Sequence, residues 1–208
     1  GLSTKPKNQQ KLRRFCHLNS VASSNDSPKA TISSPTTKIE TSETNTQRNE
    51  VKAVQNVLEK LDELGIKYAK VEHEAVYTCE QAEFVKKLVK GQGCKNLFLK
   101  NKKKEYFLYT LPDEQRADLK TLGKENHLGN LSFANENDLW DILELKTGSV
   151  TPLGIINDTE NIVTVLLDKK LQGQKVLVHP NRNTATISLD FDELLRFVEH
   201  QNHKFVLV

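Results

Sequence analysis

Methionine is absent from this chain, tryptophan occurs once, and no apolar run approaches the roughly 18 residues of a membrane span. No membrane partner is expected. The three cysteines, Cys16, Cys79 and Cys94, are odd in number and lack metal-ligand spacing. They argue against a disulfide framework or zinc site and fit a reducing compartment. Also missing are Gly-x-Ser-x-Gly, the nucleotide-hydrolase phosphate loop, the dinucleotide fingerprint and any metal-ligand pair. The common hydrolase and nucleotide-binding classes therefore have no signal, and neither cofactor nor metal is expected.

The net charge of +3 is unevenly spread: residues 1–49 hold 8 Lys and Arg against 3 acids, leaving 22 against 24 for residues 50–208. A body without an overall positive field is a poor grip for long nucleic acid, although a local patch can hold a few phosphates. Residues 1–49 are rich in Ser, Thr, Asn, Lys and Pro and show no sustained periodicity. They read as a disordered polar and basic extension. Residues 1–24 contain Arg13, Arg14, many hydroxyls and no acid, a composition shared by organelle-targeting peptides and plain solvated linkers. A cytoplasmic location is expected, with organelle import as the alternative if those residues are a targeting peptide. The first residue is Gly1 rather than Met, as expected of a processed or excised piece.

From Glu50 the pattern changes. Val51, Val54, Leu58, Leu61 and Leu64 recur at helical spacing until Gly65, and Lys67 to Glu72 reads as a strand. Thr78 and Gln81 form a capping box opening a helix over 79–89. Residues 95–100 and 106–111 read as a hairpin, residues 116–122 as a helix, and residues 131–134 as a short strand. Asn135 caps a helix reaching Leu145. Four strand-like runs follow, over 154–156, 162–167, 176–179 and 184–189, and their short turns predict consecutive antiparallel pairing. Asp190 and Glu193 signal a last helix through about Glu199, before a short terminal strand over 205–208. The fold class is α+β, a mixed, mainly antiparallel sheet covered by helices, formed by residues 50–208.

Three segments are candidates for chemistry. The loop Gly148-Ser149-Val150-Thr151-Pro152-Leu153-Gly154 is a stiff turn whose Ser149 and Val150 amides are free to face a ligand; the same features also serve a plain helix-to-strand connection. Lys95 sits between Gly91-Gln92-Gly93 and the apolar Leu97-Phe98-Leu99, within a stretch from Phe84 to Lys104 that holds eight lysines and no acid. A cation there can meet a phosphate or ester oxygen, whereas Lys102, Lys103 and Lys104 on a hairpin turn also fit a solvated face. His179 ends a strand before Pro180, with Asn181 and Asn183 in the turn, and fits either a ligand contact or a hydrogen-bonded structural residue.

Taken together, these segments make residues 50–208 resemble the YbaK/ProX family of aminoacyl-tRNA editing domains, most closely its ProX branch. The matching stretches are His73-Glu-Ala-Val-Tyr-Thr78-x-Glu80-x-Ala82, Lys95-Asn96-Leu-Phe-Leu99, Arg116-x-Asp118-Leu-Lys120, Leu131-Ser-Phe-Ala134, Gly148 to Gly154 with Ile156-Asn157-Asp158, and His179-Pro180-x-x-Asn183-Thr-Ala-Thr186. The resemblance implies the YbaK/prolyl-tRNA synthetase-associated domain fold and an ester hydrolase that removes alanine from mischarged tRNA(Pro).

It further implies catalytic roles for Lys95, Gly148 and Pro152, and substrate contacts for Asn96, Ser149, Val150, Thr151, His179 and Asn183. Lys86, Lys87, Lys90, Lys102, Lys103 and Lys104 would meet acceptor-end phosphates on one side of the entrance. The implied partners are the acceptor end of mischarged tRNA(Pro) and prolyl-tRNA synthetase, fused or separate. Cys94 departs from the Thr or Ser more usual before the lysine, and residues 1–49 have no family counterpart. Two alternatives stay open: a non-catalytic domain that binds tRNA or a synthetase, and a deacylase for another small amino acid, such as a Cys-tRNA(Pro) hydrolase.

Overall fold

The computed structural model describes residues 42–208. The expectation for residues 1–41, including the targeting-peptide alternative, lies outside the described residues. Helix α1 runs Ser42–Glu63, so it begins nine residues before Val51, where the apolar periodicity starts. Its fully buried contacts are Val57 and Leu61, while Val51, the first member of the expected stripe, is exposed. Among the described residues no helix is long and apolar enough to cross a membrane.

The remaining elements are β1 (Ala69–Glu72), α2 (Cys79–Lys86), β2 (Gln92–Lys100), β3 (Tyr106–Pro112), α3 (Leu119–Glu125), β4 (Ser132–Phe133), α4 (Glu136–Leu143), β5 (Val163–Leu167), β6 (Lys175–Val178), β7 (Ala185–Asp190), α5 (Phe191–His200) and β8 (Phe205–Leu207), with short 3₁₀ helices over Pro152–Asn157 and Lys169–Leu171. The strands form one sheet in the order β1-β7-β6-β2-β3-β5-β8, with β4 paired to β2 off this path.

Successive strand residues face opposite sides, which sorts the sheet into two cores. Phe98, Leu108, Val165, Val176, Val178 and Ile187 face α1, α4 and α5 in the larger core, where Phe191 and Phe197 are fully buried. On the other side, Leu99, Phe107, Tyr109 and Leu111 pack with Leu122 of α3.

Three sequence expectations are corrected. Residues 154–156 form no strand: Pro152 starts a 3₁₀ helix, the Thr151 hydroxyl accepts from the Leu153 N–H at 3.3 Å, and Leu153 and Ile155 anchor the turn in the core. A short apolar run carries no period that separates the two states. Consecutive antiparallel pairing holds for β6 with β7 but not for β5, which lies parallel to both β3 and β8. Asp190 stands at the N-cap of α5 without a side-chain capping bond.

The parallel join of β2 to β6 spans only Gln92↔Val176 and Gly93↔Leu177, after which the two strands separate. That separation positions the site described below.

The end of the first 3₁₀ turn, β5 and the C-terminal segment are tied together by a buried hydrogen bond between Asp158 and His203. Asp158 Oδ2 accepts from the Val163 N–H at 2.9 Å and meets His203 Nε2 at 2.8 Å, while His203 Nδ1 faces the Gln201 carbonyl at 2.8 Å. Both side chains are essentially inaccessible, at 2% and 1% exposure. Removing one partner leaves the other buried and unsatisfied, at a cost of about 1–3 kcal/mol. Asp158→Ala is expected to lower the urea midpoint accordingly, with an unchanged denaturant slope; a loss under about 1 kcal/mol would mean the pair contributes little.

Candidate active site

The capping box at the start of α2 forms as its spacing predicts: the Gln81 N–H donates to the Thr78 hydroxyl, and Gln81 Oε1 accepts from the N–H groups of Thr78 and Tyr77. This fixes the helix start so that Ala82, Val85 and Lys86 face a cleft whose other walls are Gly93, Cys94 and Asn96 of β2, Leu177 and Val178 of β6, and Val76, Asp113, His179 and Thr186. The cleft is small and half open, with a cavity volume of about 80 Å³.

Two histidines flank its polar end, their rings 6.2 Å apart. His179 Nδ1 lies 2.8 Å from the Ala185 carbonyl, which can only accept, so Nδ1 carries the proton and Nε2 of the neutral ring is left as an acceptor. Burial, together with the neighbouring His73, pushes the His179 pKa below its ordinary 6.5, against the Ala185 bond, which works to raise it. His73 repeats the pattern, with Nδ1 on the Glu74 carbonyl and Nε2 2.8 Å from the Thr186 hydroxyl. In the sequence His73 stands out only as the first residue of a matching stretch. Its partner Thr186 lies 113 positions away, so only the pairing of β1 with β7 brings them together.

At the opposite wall Lys86 Nζ pairs with Asp113 Oδ2 at 2.6 Å and Glu83 Oε1 at 2.8 Å. Burial works to raise the Asp113 pKa, but hydrogen bonds with Lys86 and the neighbouring Glu114, with the Lys86 charge, outweigh it and hold the carboxyl below its ordinary range. Gly93 makes room for this pair, because a Cβ there would collide with Asp113 Oδ2 and Lys86 Cε. Burial pushes the adjacent Cys94 thiol up to about 12, which leaves it an inert thiol rather than a nucleophile.

The other candidates divide. Leu177 faces away from the larger core, and Gly93 pairs with it, so Lys95, two residues along β2, shares the sheet face of Leu177 and Thr186. Lys95 is half-buried, does not itself line the cleft, and has no hydrogen-bond or ion-pair partner among the described residues. Asn96 lines the cleft, and its Oδ1 accepts from the Thr110 hydroxyl at 2.6 Å.

Gly148 is exposed with φ of +89°, a value that favours glycine, and its Cα faces the Tyr77 ring and the Asn183 amide. Ser149 is 4% exposed and its N–H donates to the Lys146 carbonyl at 3.0 Å, so that amide is not free for a ligand. Val150 packs on the larger core, and Thr151 and Pro152 are buried as the start of the 3₁₀ turn. Asn183 exchanges hydrogen bonds with the backbone of Val76, tying the turn after β6 to the cleft rim. Buried Arg182, unremarked in the sequence, binds Glu50 at 2.6 Å and the carbonyls of Glu144 and Asn181, clamping α1 to the end of α4 beside the Gly148 loop.

The lysines do not form the single patch expected of them. Lys86 is consumed by its carboxylates; Lys87 and Lys90 are exposed near the cleft end of α2. Lys102, Lys103 and Lys104 are exposed on the β2–β3 turn, beyond the end of β2 remote from Gly93 and Cys94. Among the described residues no cluster of three or more His, Cys, Asp or Glu is placed to hold a metal.

Fold and cleft together define an α+β domain with a small, partly polar pocket where two parallel neighbours in a mixed sheet separate. The chain belongs to the aminoacyl-tRNA editing domain family, whose model matches residues 73–197. A prolyl-tRNA editing protein ProX from Acetoanaerobium sticklandii is 40% identical over 155 residues, covering 74% of this chain and 94% of that protein. A prolyl-tRNA synthetase associated domain-containing protein 1 from Mus musculus is 36% identical over 155 residues, covering 72% and 92%. A solved structure described as a candidate trans-editing enzyme for prolyl tRNA synthetase shares the fold at 22% identity, with a TM-score of 0.58 over 75% of this chain and 94% of that one.

The lowered His179 pKa has a defined pH signature. The unfolded chain takes up this proton near 6.5 and the native chain only at lower pH, so stability is lost as pH falls through 6.5 toward the native value. The His179 ring resonance is expected to titrate below 6.5 by NMR, and His179→Gln should flatten the decline in stability between neutrality and about pH 5. A native midpoint at or above 6.5 would contradict the burial described here.

Proposed function

We propose that this editing domain hydrolyses the ester of alanine mischarged onto tRNA(Pro), acting with prolyl-tRNA synthetase as a fused or separate partner. The observation that carries the reading is 40% identity to a protein named for prolyl-tRNA editing, over 94% of that protein's length. The cleft supports it chemically. An aminoacyl ester is already activated, so a site that orients water and the carbonyl group needs no nucleophilic side chain. The raised Cys94 pKa is consistent with that economy.

In this reading Lys95, unpaired on the cleft's face of the sheet, contacts the terminal phosphate or the ester carbonyl. His179 presents Nε2 as an acceptor beside the small-side-chain pocket. Gly148 lies over the aminoacyl group, with Tyr77 and Asn183 beneath it. Pro152, Thr151 and Ser149 hold that loop in shape rather than touch substrate, since all three are buried. Lys87 and Lys90 are the lysines best placed for the acceptor end.

Deacylation assays with Ala-, Cys- and Pro-charged tRNA(Pro) test the reading: Ala should be removed fastest and Pro spared. A faster Cys reaction would reassign selectivity, and tRNA binding without hydrolysis of any ester would make the domain a binding module. Lys95→Ala should lower kcat/KM for Ala-tRNA(Pro) at least tenfold, since a hydrogen bond to a charged group is worth about 1.5–3 kcal/mol, while the thermal midpoint stays put.

Gly148→Ala separates substrate contact from scaffold. A Cβ there meets Tyr77 at 3.7 Å, ordinary packing distance, so the structural cost is chiefly the positive φ, about 1 kcal/mol or somewhat more. Hydrolysis should fall well beyond what that loss explains at temperatures where the variant is fully folded. Wild-type turnover by a folded Gly148→Ala protein would remove the loop from the site.

A further inference from the structure

Hydrolysis of an ester calls for a hydrogen-bond donor at the oxygen where charge collects. Water adds to the carbonyl carbon and the π electrons move to the carbonyl oxygen. Collapse of that adduct expels the ribose oxygen, which leaves with the proton that water gave up. The developing oxyanion is the charge that a preorganised N–H stabilises most.

Six polar side chains line the cleft, and five are committed elsewhere or can only accept. Asp113 is a carboxylate, and Lys86 is held between it and Glu83. The Cys94 thiol donates to the Gln92 carbonyl at 3.4 Å. His179 directs its Nδ1 proton to the Ala185 carbonyl. His73 turns Nδ1 to the Glu74 carbonyl, so its neutral ring accepts at Nε2 and takes the Thr186 hydroxyl proton. Asn96 is the sixth. Its Oδ1 accepts from the Thr110 hydroxyl at 2.6 Å, while its Nδ2 has no partner among the described residues and is not sealed from solvent.

Thr110 stands directly opposite Asn96 in the β2–β3 ladder and is fully buried. Turning the amide over would make Thr110 the acceptor and leave its own hydroxyl proton unmatched in the interior, so the observed orientation is the favoured one. For the fold alone, apolar residues at both positions would serve as well.

We propose that Asn96 Nδ2 is the oxyanion donor of this cleft, and that Thr110 is a positioning residue that fixes the carboxamide with its N–H groups toward the ester. The inference rests on the editing reading given above. It leaves Lys95, which does not line the cleft, to the terminal phosphate.

The test is a double-mutant cycle on Ala-tRNA(Pro) hydrolysis. Thr110→Val keeps a β-branched side chain and removes the hydroxyl. Its kcat should fall about tenfold or more with KM within about twofold of wild type, because the contact strengthens in the transition state. Thr110→Ser, which keeps the hydroxyl, should recover most of the rate. Asn96→Ala should lower kcat by roughly 10²–10³, the usual effect of losing one oxyanion donor, and adding Thr110→Val to it should cost little more. Additive losses, an equal loss in Thr110→Ser, or a rise in KM with kcat unchanged overturns the proposal.

An independent arm uses wild type alone, so it does not depend on the folding of any variant. The 3′-phosphonate ester of adenosine with 1-aminoethylphosphonic acid places anionic oxygen in tetrahedral geometry at the reacting centre, whereas 3′-alanylamino-3′-deoxyadenosine keeps a planar, neutral carbonyl there. In ¹⁵N-labelled protein saturated with each probe, the phosphonate should shift the Asn96 side-chain NH₂ signals further downfield. Absence of phosphonate binding, or Asn96 signals that respond equally to both probes, overturns the proposal whatever the variants do. Wild type that hydrolyses no mischarged tRNA(Pro) overturns the editing reading itself. Wild type that deacylates Ala-tRNA(Pro), with Asn96→Ala at undiminished kcat, overturns only this assignment.

Discussion

The site depends on a short parallel join. β2 and β6 are hydrogen-bonded over two residue pairs, Gln92↔Val176 and Gly93↔Leu177, and then part. β6 ends at Val178 because Pro180 has no N–H to continue a ladder, whereas β2 runs on to Lys100 against β3. The gap so opened is lined by backbone and side chains from both strands, and α2 closes one side of it. A longer join would fill the cleft with sheet; none at all would separate Gly93 from His179.

Around that gap the sequence places two kinds of anchor. On one side, hydrogen bonds between His73, Thr186, His179, Ala185, Asn183 and Val76 stitch the segment before α2 to β7 and the turn after β6. On the other, Arg182 reaches across the larger core to Glu50 and the Glu144 carbonyl, so the Gly148 loop is fixed at its base by α1. Glu144 itself has a positive φ at the end of α4, and Gly148 another four residues on, which turns the chain so that Gly148 lies beside Tyr77 and Asn183. The loop's reach comes from this anchored geometry, because Ser149, Thr151 and Pro152 are buried beneath it.

Local signals are readable in the sequence where a side chain answers to a backbone group a few residues away. The Thr78 and Gln81 box, the Asn135 cap and the 101–105 hairpin all appear where the residue types demand. What the sequence hides is non-local. Parallel pairing of β5 with β3 and β8 leaves no trace in turn lengths, and Lys86 reads as one solvent lysine among eight although Asp113, 27 positions on, stands beside it in the fold. The same holds for Asn96, which lines the cleft and is held by the Thr110 hydroxyl, 14 positions on, while its neighbour Lys95 does not line it. Alternation along a strand is legible, but which face meets a cleft is decided by partners the sequence does not announce.

Charge explains how so small a cleft could orient a large substrate in the proposed function. An aminoacyl ester at a nucleic-acid end is electrically bipolar, with a compact cation beside the carbonyl and a polyanion trailing behind. At the cleft wall Lys86 is shared by the carboxylates of Asp113 and Glu83, while Lys95, and Lys87 and Lys90 on the outside, have no ion-pair partner among the described residues. Reversing the substrate would put phosphate against carboxylates and ammonium against lysines, in a setting only partly screened by water. In the proposed function the ester carbonyl would then lie in the cleft near His179 and Thr186, and selectivity for a small side chain would fall to the apolar surfaces of Val76, Val85 and Leu177.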